Sequence, residues 1–126
     1  QGNAGSEPGL IGWAKRSGES ALLEAAEISS GLKGYIGSVA LSADGRRLAA
    51  SAPKGGRVVY IDTETSEVVA VSPLRDVCGL APGLTERSIV ETTGFGVVRE
   101  TRDGRPSGIS QKWSEIAFDN HVRRLA

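Results

Sequence analysis

The sequence predicts an all-β fold built of four-stranded antiparallel meanders, the form of β-propeller blades. Three observations predict it. Nearly every apolar segment is short, four to six residues, and bounded by turn residues. The turns between them carry Asp-Gly and Gly-Gly pairs, which supply the positive φ angles of tight hairpins. The strand pattern of residues 34–73 then recurs, more weakly, at an offset of about 40 residues, the period that four-stranded blades give.

The elements follow in chain order. QGNAGSEP at the start reads as a disordered lead-in, residues 1–9. Leu10 to Ala14 is a short strand, and Lys15 to Glu19 a polar turn. SALLEAAEISSGL is the one helix-compatible stretch, with Ser20 as cap, Leu22, Leu23, Ala26 and Glu27 at helical spacing and Gly31 as stop; its first half reads equally as strand. Residues 10–33 therefore stand as the outer strands of a preceding blade plus a short helix near residues 20–31. Residues 34–73 form a complete blade: strands Ser38–Leu41, Arg47–Ser51, Arg57–Asp62 and Glu67–Ser72, joined by the turns SADGR, APKGG and TETS. Residues 74–126 form a second blade with a closing strand. Val39 aligns with Leu80, Leu48 with Ile89, Val58 and Val59 with Val97 and Val98, and the turn at Asp62 with TRDG at 101–104. The sum is about two and a half blades, and since propellers carry about 4 to 8, the expectation is a fragment of a larger one.

Composition excludes some functions. The chain has 126 residues, 15 Lys and Arg against 15 Asp and Glu, and so no net charge to draw it to nucleic acid or an anionic membrane. No apolar stretch approaches the roughly 20 residues of a membrane span. Cys78 is the single cysteine and cannot form an internal disulfide. It reads as a small buried apolar residue, with no nearby cation to make it reactive.

The motifs that could carry chemistry are sparse. His121 is the one histidine, beside Asp119 and Asn120. Alone it cannot build a multi-histidine zinc or iron site, so its expected role is hydrogen bonding across a blade turn, with a ligand-facing place at the channel mouth as the sharper alternative. Asp76, after Arg75, begins an inner strand, where propeller side chains line the central channel; an ion pair at the rim is the plain reading. APKGGR, ending in Arg57, is glycine-rich and basic but lacks phosphate-loop spacing and sits between strands, so it is a hairpin. Arg16, Arg46, Arg47, Lys54 and Arg57 read as solvated charges, and Trp13 and Trp113 as blade packing. The candidate ligand-binding residues are thus Asp76, Asp119, Asn120, His121 and Arg57, with no catalytic or metal-ligating residue and no cofactor.

Five motifs carry a resemblance: the strand Gly37–Ala40, the turn Asp44–Arg46, the hairpin Ala52–Arg57, the step Asp76–Gly79 and the segment Phe118–His121. Together they resemble the C-terminal part of an uncharacterised bacterial family of exported propeller-like proteins, well over Gly34 to Ala126 and poorly over the first 33 residues. Ala52 and Phe118 stand where Ser and Trp are also frequent. The resemblance implies a seven-bladed propeller of the YVTN and quinoprotein-like kind, a twin-arginine export leader, the periplasm as compartment, and genes placed beside imelysin-like proteins linked to iron handling.

Three functions fit. The first is a non-enzymatic periplasmic binding or scaffold module, whose partners are other copies of itself, the missing N-terminal half of the propeller, or another periplasmic protein. The second is a lactonase- or quinoprotein-like enzyme with a channel metal or cofactor, for which the inner strands offer Ser38, Asp76 and Asn120. The third is a complete small β-sandwich.

Overall fold

The computed structural model describes residues 11–14, 17–18, 20–23 and 36–118. It contains ten strands: β1 (Ile11–Ala14), β2 (Ser20–Leu23), β3 (Ser38–Leu41), β4 (Arg47–Ala52), β5 (Arg57–Asp62), β6 (Val68–Pro73), β7 (Val77–Pro82), β8 (Ile89–Thr93), β9 (Val97–Arg102) and β10 (Arg105–Lys112). β1 and β2 pair as an antiparallel hairpin. β3 to β6 form one four-stranded sheet in sequence order, and β7 to β10 a second. All pairings are antiparallel, no helix occurs among the described residues, and neither sheet closes into a barrel. The two sheets are consistent with propeller blades.

The expected strands and turns of residues 38–73 are therefore present, and the repeat holds element for element. Leu48 and Ile89 lie on the second strands of their sheets, Val58 and Val97 on the third. Of the two readings of the first half of that stretch the strand holds, because Ser20–Leu23 is β2. Residues 24–31 of that segment lie outside the described residues, as does the lead-in.

Backbone geometry explains the turns. Gly45 and Gly56 take φ of 70° and 61°, which a side chain would oppose, and Asp103 and Gly104 take 51° and 79°. Asp62 closes the β5–β6 turn by accepting the Glu64 and Thr65 amides on Oδ1, at 2.8 and 3.1 Å. An aspartate in that position satisfies the turn's own amides with its side chain.

The register sorts the first sheet into two faces. One carries Leu48, Ala50 and Ala52 of β4 with Val59 and Ile61 of β5, all buried, and Ile36 and Val68 packed against them. Its flanks are open: Val39, Leu41 and Val71 are 51%, 49% and 51% exposed. The other face meets the second sheet. There Ala40, Ala49, Tyr60 and Ala70 stand in one register row, and Ser38, Ser51, Val58 and Ser72 in the next. Alanines leave room beside Tyr60, whose ring fills the space and joins Val77, Leu80 and Ile89 in the core between the sheets.

The sheets come closest along β3, β4 and β7. β10 is exposed along its whole length. Closest approach along the first strands, with β10 left open, is the arrangement expected of blades about an axis.

Because Leu48 and Val59 are buried on the central strands, Leu48→Asp and Val59→Asp each bury an unpaired carboxylate. Neither variant should accumulate as soluble protein, measured as the soluble fraction after expression. Variants as soluble and heat-stable as the parent would remove this face from the core.

Candidate functional site

The second sheet has a break that the first one repairs. Pairing of β7 with β8 shifts between Val77 and Leu80, a bulge that takes the backbone of Cys78 and Gly79 out of the ladder. Buried backbone groups need other partners. Thr92 Oγ1 accepts from the Gly79 amide at 3.1 Å and lies 3.2 Å from the Gly79 carbonyl. From the first sheet, Ser38 Oγ accepts the Leu80 amide at 3.1 Å, and Ser51 Oγ donates to the Cys78 carbonyl at 2.7 Å. The third serine of that row, Ser72, donates to the Gly104 carbonyl at 3.4 Å and accepts from Arg99 Nη2 at 3.1 Å. All three serines of one register row thus bond across to the second sheet. Ser38, a candidate for catalysis in an enzymatic reading, is engaged in this seam.

Next to the seam lies a carboxylate with no solvent exposure, Glu91 of β8. The Tyr60 hydroxyl donates to its Oε1, and Thr101 Oγ1 donates to the same oxygen at 3.1 Å. The two hydroxyl oxygens are 2.8 Å apart. Arg99 Nε donates to Oε2 at 2.5 Å. Burial pushes the Glu91 carboxyl upward, against the hydrogen bond and charge of Arg99 and the bond from Thr101, and the net direction is up. Sequence reasoning missed this group. The available signal was a charged residue inside the apolar strand IVETT, facing Arg99 on the paired strand.

A charged rim closes one end of the two sheets. Asp44 accepts from Ser42 Oγ at 2.6 Å, the Arg46 amide at 3.0 Å and Arg87 Nε at 2.9 Å, while its own amide donates to the Glu86 carbonyl at 2.8 Å. Burial raises the Asp44 carboxyl, but these donors overrule it and hold it at about 2. Asp62 is held at about 2 by the Thr65 amide, against burial, with help from the Glu64 amide, Arg46 and Arg47. Arg47 bridges the sheets, giving Nη1 to Asp62 at 2.9 Å and Nε to Asp103 at 2.8 Å. It was expected to be solvated and is instead largely buried and doubly paired, because the hairpin turn of the second sheet lands on it.

The opposite rim carries two of the sequence-derived candidates. Asp76 sits in the β6–β7 connection at φ 55°, with its carboxylate against Gly94, where a Cβ would collide with it. The rim ion pair expected of Asp76 is not made among the described residues, and Arg75 lies over the Phe95 ring, 4.9 Å from its centroid. Arg57 begins β5, exposed, and gives Nε to the Gly55 carbonyl at 3.3 Å. The Leu74 amide bonds the Gly56 carbonyl at 2.9 Å, so Arg57 and Asp76 come to neighbouring turns without pairing. Asp119, Asn120 and His121 lie outside the described residues. Cys78 is half-buried rather than buried, its Sγ 3.2 Å from the Asp76 carbonyl. Trp113 packs edge-on to Phe118 at 6.4 Å and stays 41% exposed, away from the core between the sheets.

A family model described as "Protein of unknown function (DUF1513)" matches residues 1–125. The chain belongs to this family. The DUF1513 match takes in the first 33 residues, where the motifs are thin. Of the motifs read from the sequence, Asp76–Gly79 runs into the β7 bulge, Ala52–Arg57 makes the β4–β5 hairpin and Asp44–Arg46 is the turn that binds Arg87. No curated protein matches the chain. Among solved structures it is similar to the hydrazine synthase of Kuenenia stuttgartiensis, at 19% identity and a TM-score of 0.48, over 53% of this chain and 20% of that one. The chain spans a fifth of that protein's length. Among the described residues no helix is long and apolar enough to cross a membrane, and no three His, Cys, Asp or Glu side chains gather as a metal site.

Tyr60→Phe should cost about 1–3 kcal/mol by leaving Glu91 short of a donor, and Arg99→Ala about 3–5 kcal/mol by leaving its charge buried and uncompensated. Denaturant unfolding measures both, and losses within error of zero would show that the joint does not hold the sheets.

Acid should act through the rim. The Asp44 and Asp62 carboxyls, at about 2 against the ordinary 3.8, contribute stability that is whole above about pH 4 and is lost as the pH falls through about 2. Glu91, shifted upward, contributes in the opposite sense, favouring the fold below pH 4.5 and less as the pH rises. Melting temperatures from pH 5 to 2 should fall less steeply in Asp44→Asn and Asp62→Asn than in the parent; parallel curves would contradict the assignment.

Proposed function

We propose that the chain is a binding or scaffold module of propeller blades rather than an enzyme. One observation carries the reading. The three described carboxylates with shifted titration, Asp44, Asp62 and Glu91, are each saturated by turn amides, hydroxyls or arginines of the frame itself. Enzymes spend such shifts on reacting groups; this chain spends them on joining strands and sheets.

The reading extends to partners. The outer face of the first sheet has a buried centre and open flanks at Val39, Leu41 and Val71, and a sheet face of this kind in a propeller is covered by the next blade. The hairpin of β1 and β2 is then the outer half of a preceding blade, and the remaining strands come from the rest of a longer protein or from a second copy. The resemblance to exported proteins supports a periplasmic setting, and the imelysin-like neighbours direct the search for a partner toward iron-handling proteins there.

Light scattering on the isolated 126-residue chain at tens of micromolar should give an associated species, or a companion polypeptide should co-purify with it. A stable monomer near 13.1 kDa, with no second chain on a gel, would overturn the open-face reading. Calorimetric titration with calcium and manganese should give no saturable heat, and binding in the micromolar range would favour the metal-dependent enzyme instead.

A further inference from the structure

The β9–β10 hairpin turns on two residues, Asp103 and Gly104. This places Arg102 and Arg105 directly opposite each other. Such a cross-strand pair has its Cβ atoms about 5 Å apart, and like charges there oppose folding. Neither guanidinium takes part in an ion pair or hydrogen bond among the described residues, and both residues are exposed. Three of the acids around them are committed elsewhere, Asp103 and Asp62 to Arg47 and Asp44 to Arg87, and Glu86 borders the Arg102 side without forming an ion pair among the described residues.

The repulsive pair also sits on a fixed platform. Ser72 Oγ holds the Gly104 carbonyl, and a Cβ at Gly104 would come within 2.6 Å of the Ser72 Cβ, so the turn is seated against β6. Arg102, Asp103 and Arg105 line a cavity of about 440 Å³ whose other walls are Val69 and Ala70. Arg102 also borders a second cavity of about 230 Å³, with Asp44, Thr85, Glu86 and Arg87. Two guanidinium groups of one sign, without partners, at a preorganised concavity are the arrangement that recognises an anion through paired charge-assisted hydrogen bonds.

We propose that this hairpin tip is a binding site for a doubly charged phosphate group, held between the Arg102 and Arg105 guanidinium groups, with Val69 and Ala70 as the apolar wall beside whatever the phosphate carries. Two acids oppose the ligand: Glu86, across the smaller cavity, and Asp103, which lines the larger one with its charge offset by Arg47. The site does not rest on the scaffold reading, since a phosphate can be held here by a monomer or an assembly.

The test is an NMR titration of the full chain at about pH 7.5, above the second phosphate ionisation near 6, at constant ionic strength. Inorganic phosphate and glycerol 3-phosphate are the two probes. Saturable shifts are expected at the amides of Thr101 to Arg105 and at the Nε–H signals of Arg102 and Arg105. Tighter binding of the ester identifies a phosphate carried on a larger molecule, and equal or tighter binding of inorganic phosphate identifies the free ion. Arg102→Gln and Arg105→Gln should each weaken binding about tenfold, the loss of a charge-assisted contact. Glu86→Gln should tighten it, and Lys54→Gln, on the exposed β4–β5 hairpin at the opposite rim, should leave it unchanged. Without phosphate, Arg105→Gln should melt no lower than the parent, because the substitution removes a repulsion. Shifts that do not saturate, that spread evenly over exposed basic residues, or that survive both arginine substitutions would overturn the site.

Discussion

The directional part of the joint between the two sheets is set by the backbone bulge in β7. A strand that leaves its ladder for two residues exposes amides and carbonyls that cannot be buried unpaired. Ser38, Ser51 and Thr92 supply the replacement bonds, two of them from the other sheet. The defect in one sheet is thereby the adhesive for the next. Apolar packing of Tyr60, Val77, Leu80 and Ile89 supplies most of the burial there, but it is non-directional and would accept a sliding sheet. Hydroxyls aimed at named backbone atoms accept only one placement.

The buried glutamate sharpens the same point. Glu91 gains little from its environment on balance, since burial outweighs its partners and raises its carboxyl. Its worth is in position: Tyr60 comes from the first sheet, while Thr101 and Arg99 come from the second. The carboxylate is satisfied only when both sheets are in place. At the rim, Arg47 of the first sheet with Asp103 of the second, and Arg87 of the second with Asp44 of the first, repeat the device in a wetter setting, where the ion pairs orient more than they stabilise.

Most of the strand plan could be read from the residues. Apolar runs broken by Asp-Gly and Gly-Gly, and the recurrence of Leu48 at Ile89 and Val58 at Val97, are local signals, and local signals are what turns and short strands leave in a sequence. The stretch after Ser20 stayed open between helix and strand because Leu22, Leu23 and Ala26 satisfy helical spacing and strand alternation about equally over so few residues. The joint between the sheets was not readable. Nothing about Ser38, Ser51 and Ser72 marks them as one row until the register is known, and Glu91 meets Tyr60 only across an interface between two sheets. Of the candidate site residues, Asp76 and Arg57 come to adjoining turns without pairing, while the rim chemistry belongs to Asp44, Asp62 and Arg47. These look like ordinary turn residues because their partners are far along the chain.

The seating of Gly104 on Ser72 has a consequence for how such a chain can change by duplication. A unit of about 40 residues is the obvious piece to copy or delete, since it is one sheet. Yet the tip of the second sheet is seated on Ser72 of β6, and its bulge takes bonds from serines that lie in the preceding unit. A copied sheet set down beside an unrelated neighbour would arrive with open carbonyls and a stranded carboxylate. The heritable module is therefore the junction, half of it encoded in each of two successive units, and insertions should be tolerated in the exposed turns long before whole sheets can be exchanged.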